Sequence, residues 1–365
     1  MSRQPAVTVL MPVFNGERFL RPAIESILAQ SCPDFEFLIV DDGSTDGTAG
    51  IVRSYSDPRI RFERFERNRG LSAALNFGVA QAAAPIIARQ DADDLSHPER
   101  LEVQLDLMTG NRDLVLAGSQ ARTLDESNRV IGDVRRPVDD LSIRWYALFD
   151  NPFIHTAVVF RRAAVLACGQ FDAAFDPFSQ DYAMWWRLMR AGRVVNLSDE
   201  LVDYRVNAES IIGRIGESDA GEYSATFGRV VRELVTRHML EAYGSRGLQP
   251  DEAALMSGFV LGIDAEALPR FLAIVDRLAS WFEEEHPAVR QSRDYRRTLA
   301  RQFDAIASRA RPGTRGQAFQ VYAHALRSWP RLVSVLPWPR LIATTAFGRD
   351  GRARLARLWT RAARA

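Results

Sequence analysis

The sequence predicts an α/β protein: a doubly wound, mainly parallel sheet followed by a C-terminal helical accessory region. Three observations carry that expectation. Short β-rich runs alternate with amphipathic helical stretches over residues 1–214, turn residues flank each run, and from about residue 215 the strand pattern gives way to helical periodicity.

The strand-like runs fall at 7–13, 35–40, 60–65, 85–90, 114–118 and 157–160. Between the first two, Phe19, Leu20, Ala23, Ile24, Ile27 and Leu28 form a stripe of period 3.6 that stops before Pro33. Leu71, Ala74, Leu75, Gly78, Val79 and Ala82 repeat the pattern between the third and fourth. Strand and helix in this order give parallel neighbours with helices on both faces, and such sheets bind ligands at the carboxyl ends of their strands. Farther on, Phe227, Val230, Val231, Leu234 and Val235, then Phe271, Ile274, Val275, Leu278 and Phe282, mark helices. Arg311-Pro312-Gly313-Thr314 reads as a hinge. The expected organisation is a catalytic domain over 1–214, a helical accessory domain over 215–312 and a basic amphipathic tail over 313–365.

At 365 residues and 47% hydrophobic, the chain has room for about two domains with ordinary cores, which excludes intrinsic disorder. The net charge of +1 hides an asymmetry. Residues 311–365 hold 11 Arg against the single acid Asp350, a charge of +10, which leaves −9 for residues 1–310. Cys32 and Cys168 are the only cysteines, too few for a disulfide framework and in keeping with a reducing compartment. The N-terminus runs straight into an apolar strand, so no secretory signal is expected, and no run of 18 apolar residues is long enough to span a membrane. A cytoplasmic protein, at most peripheral on the membrane's cytoplasmic face, is expected.

Several motifs bear chemistry, each with a plainer alternative. Met11-Pro12-Val13-Phe14-Asn15-Gly16 ends the first strand and Asp41-Asp42-Gly43-Ser44 the second. Phe14 can stack on a base, and Asp42 can accept hydrogen bonds from a pyrimidine N–H or ribose hydroxyls. Alternatively, Phe14 is core and Asp42 to Ser44 form only a turn and cap. In Asp91-Ala92-Asp93-Asp94, alternation along an extended segment puts Asp91 and Asp93 on one side. Acids so close repel one another unless solvated or sharing a cation, and carboxylates suit Mg²⁺ or Mn²⁺, which complete their shells with substrate phosphates. The alternative is an acidic loop in which Asp94 or Ser96 caps the helix beginning near Pro98.

Ser179-Gln180-Asp181 opens a helical pattern, and the dipole of a first turn favours an ionised Asp181. Such a carboxylate can act as general base if a substrate hydroxyl comes within reach, or simply serve the dipole. Asn68-Arg69-Gly70 precedes a helix and either meets an anion or makes an ordinary turn. His155 and Arg205 lie near the later strands, where they face the same cleft or play structural parts.

The ordered set of Met11-Pro12-Val13-Phe14-Asn15, Val40-Asp41-Asp42-Gly43-Ser44, Asn68-Arg69-Gly70, Asp91-Ala92-Asp93-Asp94 and Gln180-Asp181-Tyr182 closely resembles family 2 glycosyltransferases of the GT-A fold. The resemblance covers residues 1 to about 210. It implies an inverting, metal-dependent enzyme that moves a sugar from a nucleotide-diphosphate sugar, with a UDP-sugar favoured, to an acceptor hydroxyl. Cell-surface polysaccharide or glycolipid assembly is the implied setting, and a glycan or glycolipid the acceptor. It places Pro12, Phe14, Asn15 and Glu17, Asp42, Asn68-Arg69-Gly70 and Asp91-Ala92-Asp93 in the nucleotide-sugar site, with Asp42 reading the nucleoside. Asp93 and Asp91 become the metal ligands, for Mg²⁺ or Mn²⁺, and Asp181 the catalytic base. His155, Gln180, Trp185 and Arg205 fall on the acceptor side. Many members carry Glu-Asp where this chain has Gln180-Asp181, so the acceptor subsite is less anionic here. The Q-x-x-R-W element of processive synthases is absent, which favours adding one sugar or a few.

Two other functions compete. A sugar nucleotidyltransferase opens on a Gly-rich G-x-G-T-R loop, where this chain has Pro12-Val13-Phe14-Asn15-Gly16. A degenerate transferase fold that only binds would not need every acid to be present. At the C-terminus, Arg residues mixed with Trp329, Trp338 and Trp359 make 315–365 a candidate for an anionic membrane surface or for packing on the acidic part of the chain. No nucleic acid is expected, because no recognition motif accompanies the charge.

Overall fold

The structure, a computed structural model, describes residues 4–207, 221–311, 315–330 and 332. They form two compact units. One holds the described residues of Met1–Ile143 and Asn151–Val230, the other those of Arg144–Asp150 and Val231–Ala365.

The first unit is built on strands β1 (Val7–Val13), β2 (Phe35–Asp41), β3 (Ile60–Arg64), β4 (Ile86–Arg89), β5 (Leu95–Ser96), β6 (Leu114–Leu124), β7 (Val130–Val134), β8 (Val159–Arg161) and β9 (Arg193–Arg205). Their order in the sheet is β3-β2-β1-β4-β8-β6-β9-β5, with β7 beside β6. The half from β3 to β4 is parallel throughout, as expected. Beyond β4 the sheet is mixed: β8 is antiparallel to β4 and β6, β9 parallel to β6, and β5 antiparallel to β9.

Every residue of β1 is buried, the pattern of a parallel strand covered on both faces. Helix Leu20–Leu28 covers one face with Leu20, Ala23, Ile24 and Ile27, and helix Leu71–Gln81 contributes Ala74, Leu75 and Val79. Fully burying one such Leu or Ile side chain contributes roughly 1.5–3 kcal/mol. β6 runs past the expected 114–118 because buried Ser119 and Gln120 interrupt its apolar pattern. Gln120 is satisfied by tertiary bonds, donating to Leu197 O at 2.8 Å and accepting from Arg136 N–H at 2.7 Å.

The chain passes from β1 to β2 and β3 on one side, then returns to β4 on the other, so the carboxyl ends of β1 and β4 part. Alternate β1 residues face opposite neighbours: Leu10 C=O accepts from Gln90 N–H at 3.0 Å and Val13 C=O from Asp42 N–H at 2.8 Å. Pro12 therefore turns its donorless nitrogen toward β4 beyond the last pair, Leu10 with Arg89, where no ladder bond is lost. The crevice opens at that point.

The second unit is helical. Helices Leu268–Glu285 and Arg293–Arg309 bury Phe271, Leu278, Phe282, Tyr295 and Phe303. The segment Arg144–Asp150 belongs to this unit although it lies within the first 214 residues. Its Trp145 is fully buried, with ring centroids 5.4 Å from Phe282 and 5.8 Å from Tyr295, and donates its indole N–H to Gln302 Oε1 at 2.6 Å. Helix Arg315–Ser328 buries Ala318, Val321, Tyr322 and Ala325 and bonds Tyr322 Oη to Asp304 Oδ1 at 2.6 Å. Its apolar side thus serves this unit. Residues 312–314 of the expected hinge and 333–365 of the expected tail lie outside the described residues. Among the described residues no helix is long and apolar enough to cross a membrane.

Candidate active site

Three loops meet at the carboxyl end of β1. Asn15 adopts a left-handed backbone, φ 50°, and locks into the loop after β2: its N–H donates to Ser44 Oγ and its Oδ1 accepts from Thr45 N–H, both at 2.9 Å. Glu17 continues the lacing, accepting from Gly47 N–H at 2.8 Å and donating its own N–H to Asp46 at 3.0 Å. Asp42, buried, reaches the other way. Its Oδ1 accepts from Arg69 N–H at 2.7 Å and its Oδ2 from Gly70 N–H at 2.9 Å. Gly43 lets the loops close, because at φ 75° a Cβ would sit 2.4 Å from the carbonyl carbon of Arg67.

Phe14 is 48% exposed, so it is no core residue, and its face is available for stacking. Pro12 is buried behind it. Asn68 and Arg69 are exposed, and the Arg69 guanidinium lies 4.7 Å from the Phe65 ring. Burial raises the pKa of Asp42 above its ordinary value, against the Arg69 and Gly70 N–H groups and the Arg69 charge.

The acidic tip after β4 is a turn, closed by Asp94 N–H to Asp91 O, not the extended segment expected. A Cβ built on Gly16 would lie 3.7 Å from Ala92 Cβ, so the tip sits against the β1 loop. Asp91 pairs with the buried Arg89 at 2.6 Å and donates its N–H to Thr156 Oγ1 at 3.0 Å. Burial raises the Asp91 carboxyl, but Arg89, then His155 and Arg100, outweigh it and hold its pKa low. Asp93 makes no ion pair among the described residues, and the Arg205 charge lowers it only slightly. Burial and the Asp91 charge push it to about 6, although Asn207 Nδ2 donates to it at 3.2 Å. Asp94 faces β9, accepting from Arg205 N–H at 2.7 Å, and Ser96 donates to Gln90 Oε1 at 2.7 Å, so neither caps the helix that follows.

Among the described residues no group of three or more His, Cys, Asp and Glu forms a ready-made metal cage. What the tip offers is Asp91 and Asp93, crowded enough to raise one of them. A pair of carboxylates is the donor set of a hard divalent ion that takes the rest of its shell from substrate phosphates and water.

Helix Gln180–Ala191 carries Asp181 in its first turn. Asn151 Nδ2 donates to Asp181 Oδ2 and Tyr182 N–H to Oδ1, each at 2.7 Å. His155 connects the two sides. Burial and the Arg89 charge lower its pKa, while Asp181 and Asp91 both act to raise it, so one imidazole lies within electrostatic reach of both carboxylates. Among the described residues its Nε2 has no hydrogen-bond partner, and neither has Oε1 of the buried Gln180.

Two residues expected on the acceptor side stand elsewhere. Trp185 is 0% exposed, ringed by Phe153, His155, Phe160 and Phe171 at centroid distances of 6.0–6.2 Å, and supports the site from beneath. Arg205 is buried, with its donors committed: Nε to Asp93 O at 2.8 Å, Nη1 to Asp125 O at 3.0 Å and Nη2 to Asn128 Oδ1 at 2.7 Å. It staples the acidic tip to the β6–β7 turn. Asn151, Thr156, Arg89 and Asn207 went unnoticed in the sequence, since each is a lone polar residue without periodic or motif context.

The carboxyl end of the sheet thus gathers an exposed aromatic, a buried carboxylate and a crowded acidic pair. Residues 8–169 match the family described as Glycosyl transferase family 2. The O-antigen biosynthesis glycosyltransferase WbnJ of Escherichia coli is 32% identical over 210 residues, 56% of this chain and 81% of that protein. A UDP-Gal:alpha-D-GlcNAc-diphosphoundecaprenol beta-1,3-galactosyltransferase of Escherichia coli is 30% identical over 219 residues, 58% of this chain and 78% of that one. The mannosyltransferase PcManGT from Pyrobaculum calidifontis, solved with GDP-Man and Mn²⁺, superposes with a TM-score of 0.52 at 19% identity, covering 90% of this chain and 89% of that one. The chain belongs to glycosyl transferase family 2, its sheet is of the GT-A type, and it is a glycosyltransferase.

Proposed function

We propose that the enzyme transfers a sugar from a nucleotide diphosphate, by preference UDP, to a hydroxyl of a glycan or glycolipid acceptor, in one inverting, metal-dependent displacement. The observation that carries this reading is the pair of carboxylate sites around His155: the crowded Asp91–Asp93 tip on one side, Asp181 held by Asn151 on the other.

Phe14 stacks on the base, Asp42 accepts from the nucleoside, and Arg69 meets the phosphates. Asp91 and Asp93 would hold a divalent ion, whose charge would offset that developing on the departing diphosphate. Asp181 accepts the proton of the acceptor hydroxyl as its oxygen bonds to the anomeric carbon and the bond from that carbon to the diphosphate breaks on the opposite face. The proton then passes from Asp181 to solvent. A single displacement inverts configuration.

The name of the galactosyltransferase relative supports a lipid-diphosphate-linked glycan as acceptor class. Such an acceptor lies at a membrane, where the seven Arg and one acid of residues 333–365 favour an anionic cytoplasmic surface. Release of nucleotide diphosphate from UDP-galactose, UDP-glucose, UDP-N-acetylglucosamine and GDP-mannose, with Mn²⁺ and with EDTA, tests the reading. Release from at least one donor, abolished by EDTA, supports it. Stabilisation by donor without any release under either condition would mark a binding protein instead.

A further inference from the structure

The helix Leu71–Gln81 begins at residues 68–70, the donor loop of the reaction proposed above, without a side chain of its own to cap it. Its N-cap is Gly70, and a helix start leaves up to four N–H groups without partners. Two carboxylates from distant parts of the sequence serve this turn. Asp42 takes the N–H groups of Arg69 and Gly70. Asp176, 104 residues beyond Ser72, takes the other end: its Oδ2 accepts from Ser72 N–H at 3.0 Å and its Oδ1 from Ser72 Oγ at 2.5 Å. Ser72 is fully buried.

The fit leaves no slack. At Gly70, φ 94°, a Cβ would lie 3.0 Å from Asp176 Oδ2, so a side chain there would push the carboxylate away. On its far side Asp176 enters a run of short backbone bonds that ends in the base-bearing helix. Phe178 and Ser179 donate to Phe175 O at 3.0 and 3.1 Å, and Ala183 donates to Ser179 O at 3.0 Å, with Phe175 buried as the anchor. Asp181 lies inside that run.

We infer that Asp176, clasped to Ser72, is a positioning residue that fixes the base-bearing segment against the donor loop, so that the grip of Asp42 on residues 69 and 70 is carried through to Asp181. The inference rests on the transfer reaction proposed above, with Asp181 as base. A donor seated on Asp42 and Arg69 would then meet a base already at its working distance, and a shift of an ångström would cost heavily.

The test uses the full chain and the UDP-sugar that wild type hydrolyses fastest with Mn²⁺, with Asp176→Asn and the milder Ser72→Ala. Expected is a fall in kcat of roughly 10-fold or more for Asp176→Asn and a smaller one for Ser72→Ala, on the worth of orientation. KM for the sugar nucleotide, and thermal stabilisation by UDP with Mn²⁺, should stay within about twofold of wild type, as when only transition-state positioning is lost. In an Asp181→Asn background, Asp176→Asn should cost nothing further, because the two act as one unit. Wild-type kcat in both variants, a loss confined to KM, or losses that simply multiply in the double variant would overturn the inference and leave the transfer reaction standing. A wild-type chain that binds UDP yet turns over none of the sugar nucleotides would overturn both.

Discussion

The side-chain amide of Asn151 donates to Asp181 Oδ2 at 2.7 Å, and Asn151 comes from the stretch between β7 and β8, not from the helix that carries the base. The carboxylate is thus aimed by a partner 30 residues away in sequence. The amide donor fixes the direction in which the carboxylate points.

Asn151→Ala should therefore lower kcat by roughly 10- to 100-fold, the usual worth of a partner that orients a working group. UDP binding should be unchanged in calorimetry. Asn151→Asp would replace the donor by a like charge and should cost at least as much. Turnover equal to wild type in both variants would show that Asn151 has no hold on the base.

Asp93 carries a cost in the metal-free protein. Its folded pKa, about 6, lies above its ordinary 3.8, so the folded state binds the extra proton and stability falls as pH rises through that window. Asp93→Asn should raise the metal-free Tm at pH 7.5 by roughly 2 °C or more, since relief of a kcal/mol shifts Tm by a few degrees in a chain of this size. The same variant should lose the stabilisation that Mn²⁺ with UDP gives wild type. In wild type, apparent Mn²⁺ affinity should climb from pH 5 to 7 and then level off, because only the ionised carboxylate is a ligand. Thermal shift read across pH checks all three, and a flat Mn²⁺ response would remove Asp93 from the metal site.

The parallel half of the fold was legible in the sequence because buried parallel strands read as near-continuous apolar runs, as Val9 to Val13 and Phe37 to Val40 do. β9 was not. Ser198 and Asp199 lie exposed in the middle of its 13 residues, and its pairing with β6 across three irregularities breaks the alternation. The motif acids stood out since they cluster at strand ends, where the topology puts ligands. Trp185 and Arg205 misled because sequence position near a site does not reveal which way a side chain turns. Both turn inward, one into an aromatic nest and the other into a web of carbonyls. Trp145 shows the same limit: nothing in its neighbourhood announces that it completes the core of the helical unit.

The basic C-terminus divides in two. Helix Arg315–Ser328 already spends its apolar residues on packing, so removing it would damage the helical unit. The cleaner test ends the chain at residue 332. The full chain should float with vesicles containing anionic phospholipid at low salt and detach as salt rises, whereas the shortened chain should stay at the bottom. Equal flotation of the two would end the membrane assignment.

Inversion makes its own demand. From a donor whose sugar is α-linked to UDP, the product should carry a β linkage, visible in the anomeric proton coupling by NMR. An α product would require two displacements and a nucleophile that the scheme lacks.

The most direct measurement replaces the base alone. Asp181→Asn keeps the shape of the side chain, and UDP with Mn²⁺ should stabilise it as much as wild type. Its turnover of sugar nucleotide should drop by roughly 100-fold or more, the range expected for loss of a general base. Turnover equal to that of wild type would contradict the account.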